Sequence, residues 1–256
     1  MFKWPIYYIY KQLLERDIKR GTMPTHVGII LDGNRRYARE KGYNDVTEGH
    51  REGAKKLDDV LKWCSELGIK IVTIWVLSTD NIFREKKERE RLLEVIRDKI
   101  EDLAQSPIVR QNRFRIKALG QLELLPEELR MAIRDAEEAT KGFDKHILNI
   151  AIGYGGREEI VDAVKRAIKE KKCSNIEELI ESLCSDDIAG HLYTNDIPDP
   201  DLIIRTSGEV RLSGFLLWQS VYSEFYFCDA LWPAFRKIDL LRAIRSYQHR
   251  DRRFGR

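Results

Sequence analysis

The stretch His26-Val27-Gly28-Ile29-Ile30-Leu31-Asp32-Gly33-Asn34-Arg35-Arg36 is an apolar run that stops abruptly at a carboxylate, a glycine and two arginines. A short apolar run bounded by a turn signal reads as a buried strand, here one whose end delivers Asp32 to a turn or helix start. The same grammar recurs along the chain. After Gly49, the apolar residues Ala54, Leu57, Val60, Leu61 and Cys64 keep helical spacing, Gly68 stops that helix, and residues 69–77 read as a second buried strand.

Further out, residues 84–103 predict a charged helix, 114–119 a strand, and Pro126 opens a helix to about Thr140. Residues 147–152 read as a strand, and Gly155-Gly156 leads into a helix carrying Ile160, Val161, Val164 and Ile168. A shorter helix covers 176–183, strands cover 202–204 and 225–227, and a last helix covers 240–247. Residues 215–218 read as a strand or a short helix. Strands alternating with helices imply an α/β single domain with a central, mostly parallel sheet flanked by helices. In such sheets ligands sit beyond the carboxyl ends of the strands, which gathers Asp32, Asn81 and Arg205 at one rim.

The 256 residues, 43% hydrophobic and 34% charged with a net charge of +3, exclude a fibrous or disordered chain. So even a balance gives no support to a general polyanion binder, and no nucleic-acid partner is expected. No run approaches the roughly 20 apolar residues of a membrane span. The aromatic residues 1–14 predict a helix packed on the domain or on a partner, the alternative being a foot at a membrane interface. Cys64, Cys173, Cys184 and Cys228 match no zinc spacing and read as thiols in a reducing compartment.

Two clusters carry the chemistry. Gly33 allows close backbone approach, the following helix start exposes amide groups, and Arg35 and Arg36 add guanidinium donors, which suits a diphosphate with a divalent cation beside Asp32. A plain turn with surface arginines reads equally well. The segment Arg205-Thr206-Ser207-Gly208-Glu209-Val210-Arg211-Leu212-Ser213 also suits a phosphate or diphosphate, or is a hydrophilic turn. Two anion sites suggest joining or exchange between two phosphorylated molecules. Glu224, among Trp218, Tyr222, Phe225, Tyr226 and Phe227, is a second cation ligand or a solvated carboxylate beside core aromatics. His26 reads as structural, His50 as a phosphate donor near a helix start, and His249 as part of a solvated basic end.

Beyond these, the ordered motifs resemble the cis-prenyltransferase family, which includes undecaprenyl and dehydrodolichyl diphosphate synthases. The resemblance runs from His26 to Arg256 through Gly49-His50, Ser78-Thr79-Asp80-Asn81, Asn149, Tyr154-Gly155-Gly156-Arg157 and residues 201–209. It continues in Arg211-Leu212-Ser213, Trp218-Gln219, Glu224 and Leu231-Trp232-Pro233. It implies a six-stranded sheet, an apolar product tunnel, a homodimer, and Mg2+-dependent condensation of isopentenyl diphosphate onto an allylic diphosphate with cis double bonds.

By that resemblance Asp32 and Glu224 hold the metal, and Asp32, Asn81 and Arg84 are catalytic. Gly33, Asn34, Arg35, Arg36, Arg39 and His50 take the allylic diphosphate. Arg205, Arg211, Ser213, Arg253 and Gly255 take isopentenyl diphosphate, the last two reaching the neighbouring subunit's site. Leu92, Leu93, Ile96, Ile100 and Leu103 are tunnel candidates. Residues 1–25 form an N-terminal helical segment, 26–249 the catalytic domain and 250–256 a basic tail. Val46 stands where many members carry a diphosphate-binding arginine, Ile82 replaces a common aromatic, and Val210 stands where bacterial relatives often have His.

The resemblance further implies a farnesyl or geranylgeranyl primer and a medium or long product serving as a glycosyl-carrier lipid. The self-sufficient tail on a eukaryotic-like body suits an archaeal, cytoplasmic enzyme at or near the inner membrane face. The alternatives are transfer of a preformed prenyl group to an unusual isoprenoid acceptor, and a noncatalytic prenyl-lipid-binding partner subunit.

Overall fold

The computed structural model describes residues 3–82, 85–173 and 175–249. In chain order these form α1 (Lys3–Ile18), β1 (His26–Ile30), α2 (Asn34–Glu40), α3 (Thr47–Glu66), β2 (Ile71–Ser78), α4 (Thr79–Ile82), α5 (Lys86–Gln105) and α6 (Pro107–Gln111). Then come β3 (Phe114–Leu119), α7 (Glu127–Thr140), β4 (His146–Tyr154), α8 (Gly156–Glu170), α9 (Ile176–Ser182), α10 (Ser185–Ala189), β5 (Leu202–Arg205), β6 (Glu224–Phe227) and α11 (Lys237–Gln248).

The six strands make one sheet in the order β3-β4-β2-β1-β5-β6. Every neighbouring pair is parallel, so the mostly parallel sheet expected from the alternation is parallel throughout. All five residues of β1 are buried, as a strand covered by helices on both faces requires. Ile30 at its end lies level with Trp75 of β2 and Arg205 of β5, which sets the rim from which Asp32 projects. On one side α3 and α5 pack against each other, and α5 against α7. Leu57, Val60, Leu61 and Cys64 form the buried stripe of α3, and Leu92, Val95, Ile96, Ile100 and Leu103 that of α5.

Residues 215–218 form neither a strand nor a helix. Ser213, Gly214 and Leu216 have φ of 52°, 97° and 44°, in the left-handed region that breaks both. The segment is nonetheless core, because Phe215 and Leu216 are fully buried and the Gly156 amide donates to the Gly214 carbonyl at 2.9 Å.

His26 is structural, as its position implies. One ring nitrogen lies 2.7 Å from the Pro198 carbonyl and the other 2.7 Å from the Thr73 hydroxyl. A neutral ring donates to the first and accepts from the second, and burial holds its pKa down at about 4. All four cysteines are free thiols. α1 buries Leu14 and Ile18 and packs on α11, yet leaves Tyr8, Ile9 and Leu13 exposed. No described helix is long and apolar enough to cross a membrane.

Candidate active site

A cavity of about 520 Å³ opens beyond the carboxyl ends of β1, β2 and β5 and runs between the sheet and helices α3 and α5. Its mouth holds Asp32, Asn34, Arg35, Arg36, Arg39 and Arg205, with Gly33, His50, Asn81 and Ser213 completing it. Four arginines against one carboxylate make a cationic mouth, which favours an anion. Further in, the walls turn apolar: Leu57 from α3, Ile74, Val76 and Leu77 from β2, and Leu92, Val95, Ile96, Ile100 and Leu103 from α5.

The polar end is tied together across the sheet. The buried Arg205 donates through Nη2 to Asp32 Oδ2 at 2.9 Å and through Nη1 to Ser213 Oγ at 2.8 Å; Nη1 also reaches the Arg211 carbonyl. The Asp32 amide donates to Thr206 Oγ1 at 2.9 Å, and that hydroxyl donates back to the Asp32 carbonyl at 2.7 Å. Arg36 Nη1 donates to the Ser207 carbonyl at 3.0 Å and its Nη2 lies 3.5 Å from Glu209, while Arg35 Nε lies 3.6 Å from Glu88. The two arginine-bearing segments of the sequence are therefore one surface.

Gly33 turns the chain into α2 at φ 103°, a conformation glycine adopts without strain. A Cβ at Gly53 would stand 2.2 Å from Asn34 Oδ1, so a bare α carbon lets α3 approach the start of α2. Several polar atoms here are buried with no hydrogen-bonding partner in the protein: Asn34 Oδ1, Arg205 Nε and Ser207 Oγ. Native proteins rarely leave such groups unpaired outside functional sites.

Not every expected residue joins this site. Glu224 lies opposite Leu202 at the start of β6, and Phe227 lies opposite Arg205. Leu202 is level with Val27, five residues before Asp32, so at the rise of a strand Glu224 sits roughly 16 Å back along the sheet. The Asp32–Glu224 metal pair does not form within one chain, because the two carboxylates occupy opposite edges of the sheet. Leu93 does not line the cavity either. One position round the helix from Leu92, it packs against the core. Arg211 is exposed, pairs with Glu209, and contributes its carbonyl rather than its guanidinium to the Arg205 cluster. Arg84, Arg253 and Gly255 lie outside the described residues.

The structure adds residues that sequence reading did not select. Trp75 of β2 lines the cavity and stacks on Phe215 at 5.5 Å between ring centroids. Trp232, Leu57 and Lys99 are also in the wall. Trp75 lies in a run already marked as buried, and the helical spacing from Leu92 through Ile96 to Leu103 marks the α5 face on which Lys99 falls.

Among the described residues no group of three His, Cys, Asp or Glu side chains is placed to hold a metal by itself. Asp32, with 37% of its side chain exposed and one donor on each oxygen, keeps lone pairs free at the mouth. That fits a magnesium-like ion, which binds through one or two carboxylates together with substrate phosphates and water.

Comparison with known proteins agrees with this geometry. Residues 30–255 match the family described as "Putative undecaprenyl diphosphate synthase". The chain is 50% identical to the tritrans,polycis-undecaprenyl-diphosphate synthase (geranylgeranyl-diphosphate specific) of Methanopyrus kandleri, covering 98% of this chain and 92% of that one. It is also 50% identical to the (2Z,6E)-farnesyl diphosphate synthase of Thermobifida fusca, covering 100% and 99%. Among solved structures, lavandulyl diphosphate synthase from Lavandula x intermedia, in complex with dimethylallyl diphosphate, superposes with a TM-score of 0.82 at 37% identity, covering 91% and 99%. Relatives named for a long and a short product are equally similar, and they come from different organisms, so overall similarity fixes neither product length nor the archaeal source. The cationic mouth, the apolar channel behind it and these relatives place the chain in the cis-prenyltransferase family of polyprenyl diphosphate synthases.

Proposed function

We propose that this chain condenses isopentenyl diphosphate repeatedly onto an allylic diphosphate, each new double bond being cis, to give a medium- or long-chain polyprenyl diphosphate. The observation that carries this reading is the continuity of one cavity, with arginines at the mouth and aliphatic side chains behind it.

Asn34, Arg35, Arg36, Arg39 and His50 take the allylic diphosphate, and Arg205 and Ser213 take that of isopentenyl diphosphate. The allylic C–O bond breaks and its electron pair leaves with the diphosphate. Arg36, fixed beforehand on the Ser207 carbonyl, meets that growing charge without reorganising. Asp32 would hold a magnesium ion there, which would supply Lewis-acid stabilisation of the same leaving group. The carbocation is attacked by the double bond of the second substrate, which the Arg205 cluster orients. Loss of a proton from the added unit to a diphosphate oxygen, with Asn81 positioning it, restores a neutral chain. The apolar walls keep water from the cation, and each CH₂ drawn into them gains about 0.8 kcal/mol.

Residues 26–249 then form the catalytic unit, with 1–25 as an accessory segment built on α1; the basic tail 250–256 lies outside the described residues. The outer edge of β6, with Val221, Tyr222 and Val210 exposed nearby, supports a homodimer. The exposed Tyr8, Ile9 and Leu13 support contact of α1 with the membrane that receives the lipid. Similarity to lavandulyl diphosphate synthase favours a second reading, transfer of a prenyl group to an acceptor other than isopentenyl diphosphate. One assay separates them: the purified protein is given geranylgeranyl or farnesyl diphosphate, isotopically labelled isopentenyl diphosphate and Mg2+, and products are read by mass spectrometry. A ladder of products spaced by five labelled carbons is expected. A single unlabelled adduct, or no product, contradicts it.

A further inference from the structure

Lys99 sits in the wall of an otherwise largely apolar channel. The cavity-facing row of α5 runs Leu92, Val95, Ile96, Lys99, Ile100, Leu103, so the lysine occupies a place where the helix otherwise presents only hydrocarbon. Its ammonium donates to Asp58 Oδ2 of α3 at 2.7 Å, bridging the two helices that enclose the channel. Only 13% of the lysine side chain is exposed, against 40% of that of Asp58, whose second oxygen is nonetheless buried with no hydrogen-bonding partner. The ammonium is thus held largely out of water beside the path of an apolar chain, while its carboxylate partner reaches solvent outside the channel.

Position along the channel gives this pair its consequence. Glu88, at the start of α5, lies against Arg35 of the mouth. Lys99 is eleven residues further along, roughly 16 Å at the helical rise, and Leu103 lies one turn beyond it. The ion pair therefore divides the channel into an outer part along Leu92, Val95 and Ile96 and an inner part ending at Leu103.

We propose that the Lys99–Asp58 pair is a polar stop that sets the longest product, an inference that rests on the prenyl-elongation reading above. A growing chain gains by burying each new five-carbon unit against hydrocarbon. At Lys99 it must instead desolvate the ammonium or push it off its carboxylate, a cost set against that gain. Elongation past this level therefore loses its driving force, although space continues to Leu103. The four methylenes of Lys99 still offer an apolar flank to the chain up to that level.

The test is the product distribution of the full-length protein with geranylgeranyl diphosphate, labelled isopentenyl diphosphate and Mg2+, for wild type, Lys99→Met and Lys99→Arg. Methionine keeps the length of the lysine stem and removes the charge, so a shift does not come from enlarging the channel. Lys99→Met should extend the longest product by at least one five-carbon unit, while Lys99→Arg keeps the wild-type limit. If Lys99→Met fails to fold, Lys99→Gln, also uncharged, must shift the limit in the same direction. An active wild type with an unchanged limit in the uncharged variant overturns the role of Lys99 and leaves prenyl elongation standing. An inactive wild type overturns both.

Discussion

Glu159 and Asp32 are both carboxylates held close to the same sheet, yet one is closed and the other open. Glu159 is 1% exposed; Oε2 accepts from the Tyr154 hydroxyl, and Oε1 accepts from the Tyr193 amide at 2.9 Å and Gln219 Nε2 at 3.0 Å. Burial pushes its pKa up, and its acceptor capacity is taken up by the protein. Asp32 accepts one bond at each oxygen, from the Gly33 amide at 2.8 Å and from Arg205, and faces the cavity with orphaned polar atoms around it. The difference separates a carboxylate that builds the fold from one that serves a ligand: the second keeps lone pairs that the chain does not use.

Asp32→Asn gives the largest expected effect. It retains the shape and the fold but removes the charge, and turnover should fall by about 100-fold or more at saturating substrate. Glu159→Ala should act on stability instead. It leaves the Tyr154 hydroxyl and the Tyr193 amide without their acceptor, costing about 3 kcal/mol in urea unfolding, while kcat of the folded protein stays within about tenfold. Comparable loss of turnover in both variants, with equal stability, would erase the distinction.

His26 extends the contrast to the opposite edge of the sheet, where a titratable group is again spent on structure. Its folded pKa of about 4 lies below the ordinary 6.5, so the unfolded chain binds the extra proton first. Stability from this group is complete above about pH 6.5 and declines as pH falls through the window down to 4, by about 3 kcal/mol in total. Unfolding in urea at pH 7.5, 5.5 and 4.5 should show that slope in wild type and a flatter one in His26→Gln. Parallel slopes would mean that the ring is not held neutral.

The strands and the Asp32 turn were legible because buried parallel strands are continuous apolar runs, and the residue ending such a run must emerge at the rim. Phe114–Leu119 matches its expected bounds, and α5 differs from expectation by two residues at each end. Glu224 was misplaced because a pattern shows that a carboxylate lies on a strand but not which edge of the sheet it reaches; only the register with Leu202 decides that. Leu93 was chosen as apolar, whereas the cavity is read by the helical face that runs through Leu92 and Ile96. Lys99 was passed over for the converse reason, since charge marks a residue as solvent-facing until its partner across the helix pair is known. Residues 215–218 carry a strand-like composition that the left-handed turns at Ser213 and Leu216 override.

Binding of a homologous series tests most directly whether the mouth and the channel are one site. Trp75 and Trp232 line the cavity, so quenching of tryptophan fluorescence can report Kd for dimethylallyl, geranyl, farnesyl and geranylgeranyl diphosphates, with inorganic diphosphate as competitor. Affinity should rise with each added isoprene unit, and inorganic diphosphate should displace all four. Affinity independent of tail length, or no displacement by the bare diphosphate, would contradict a cationic mouth that opens into an apolar channel for the growing chain.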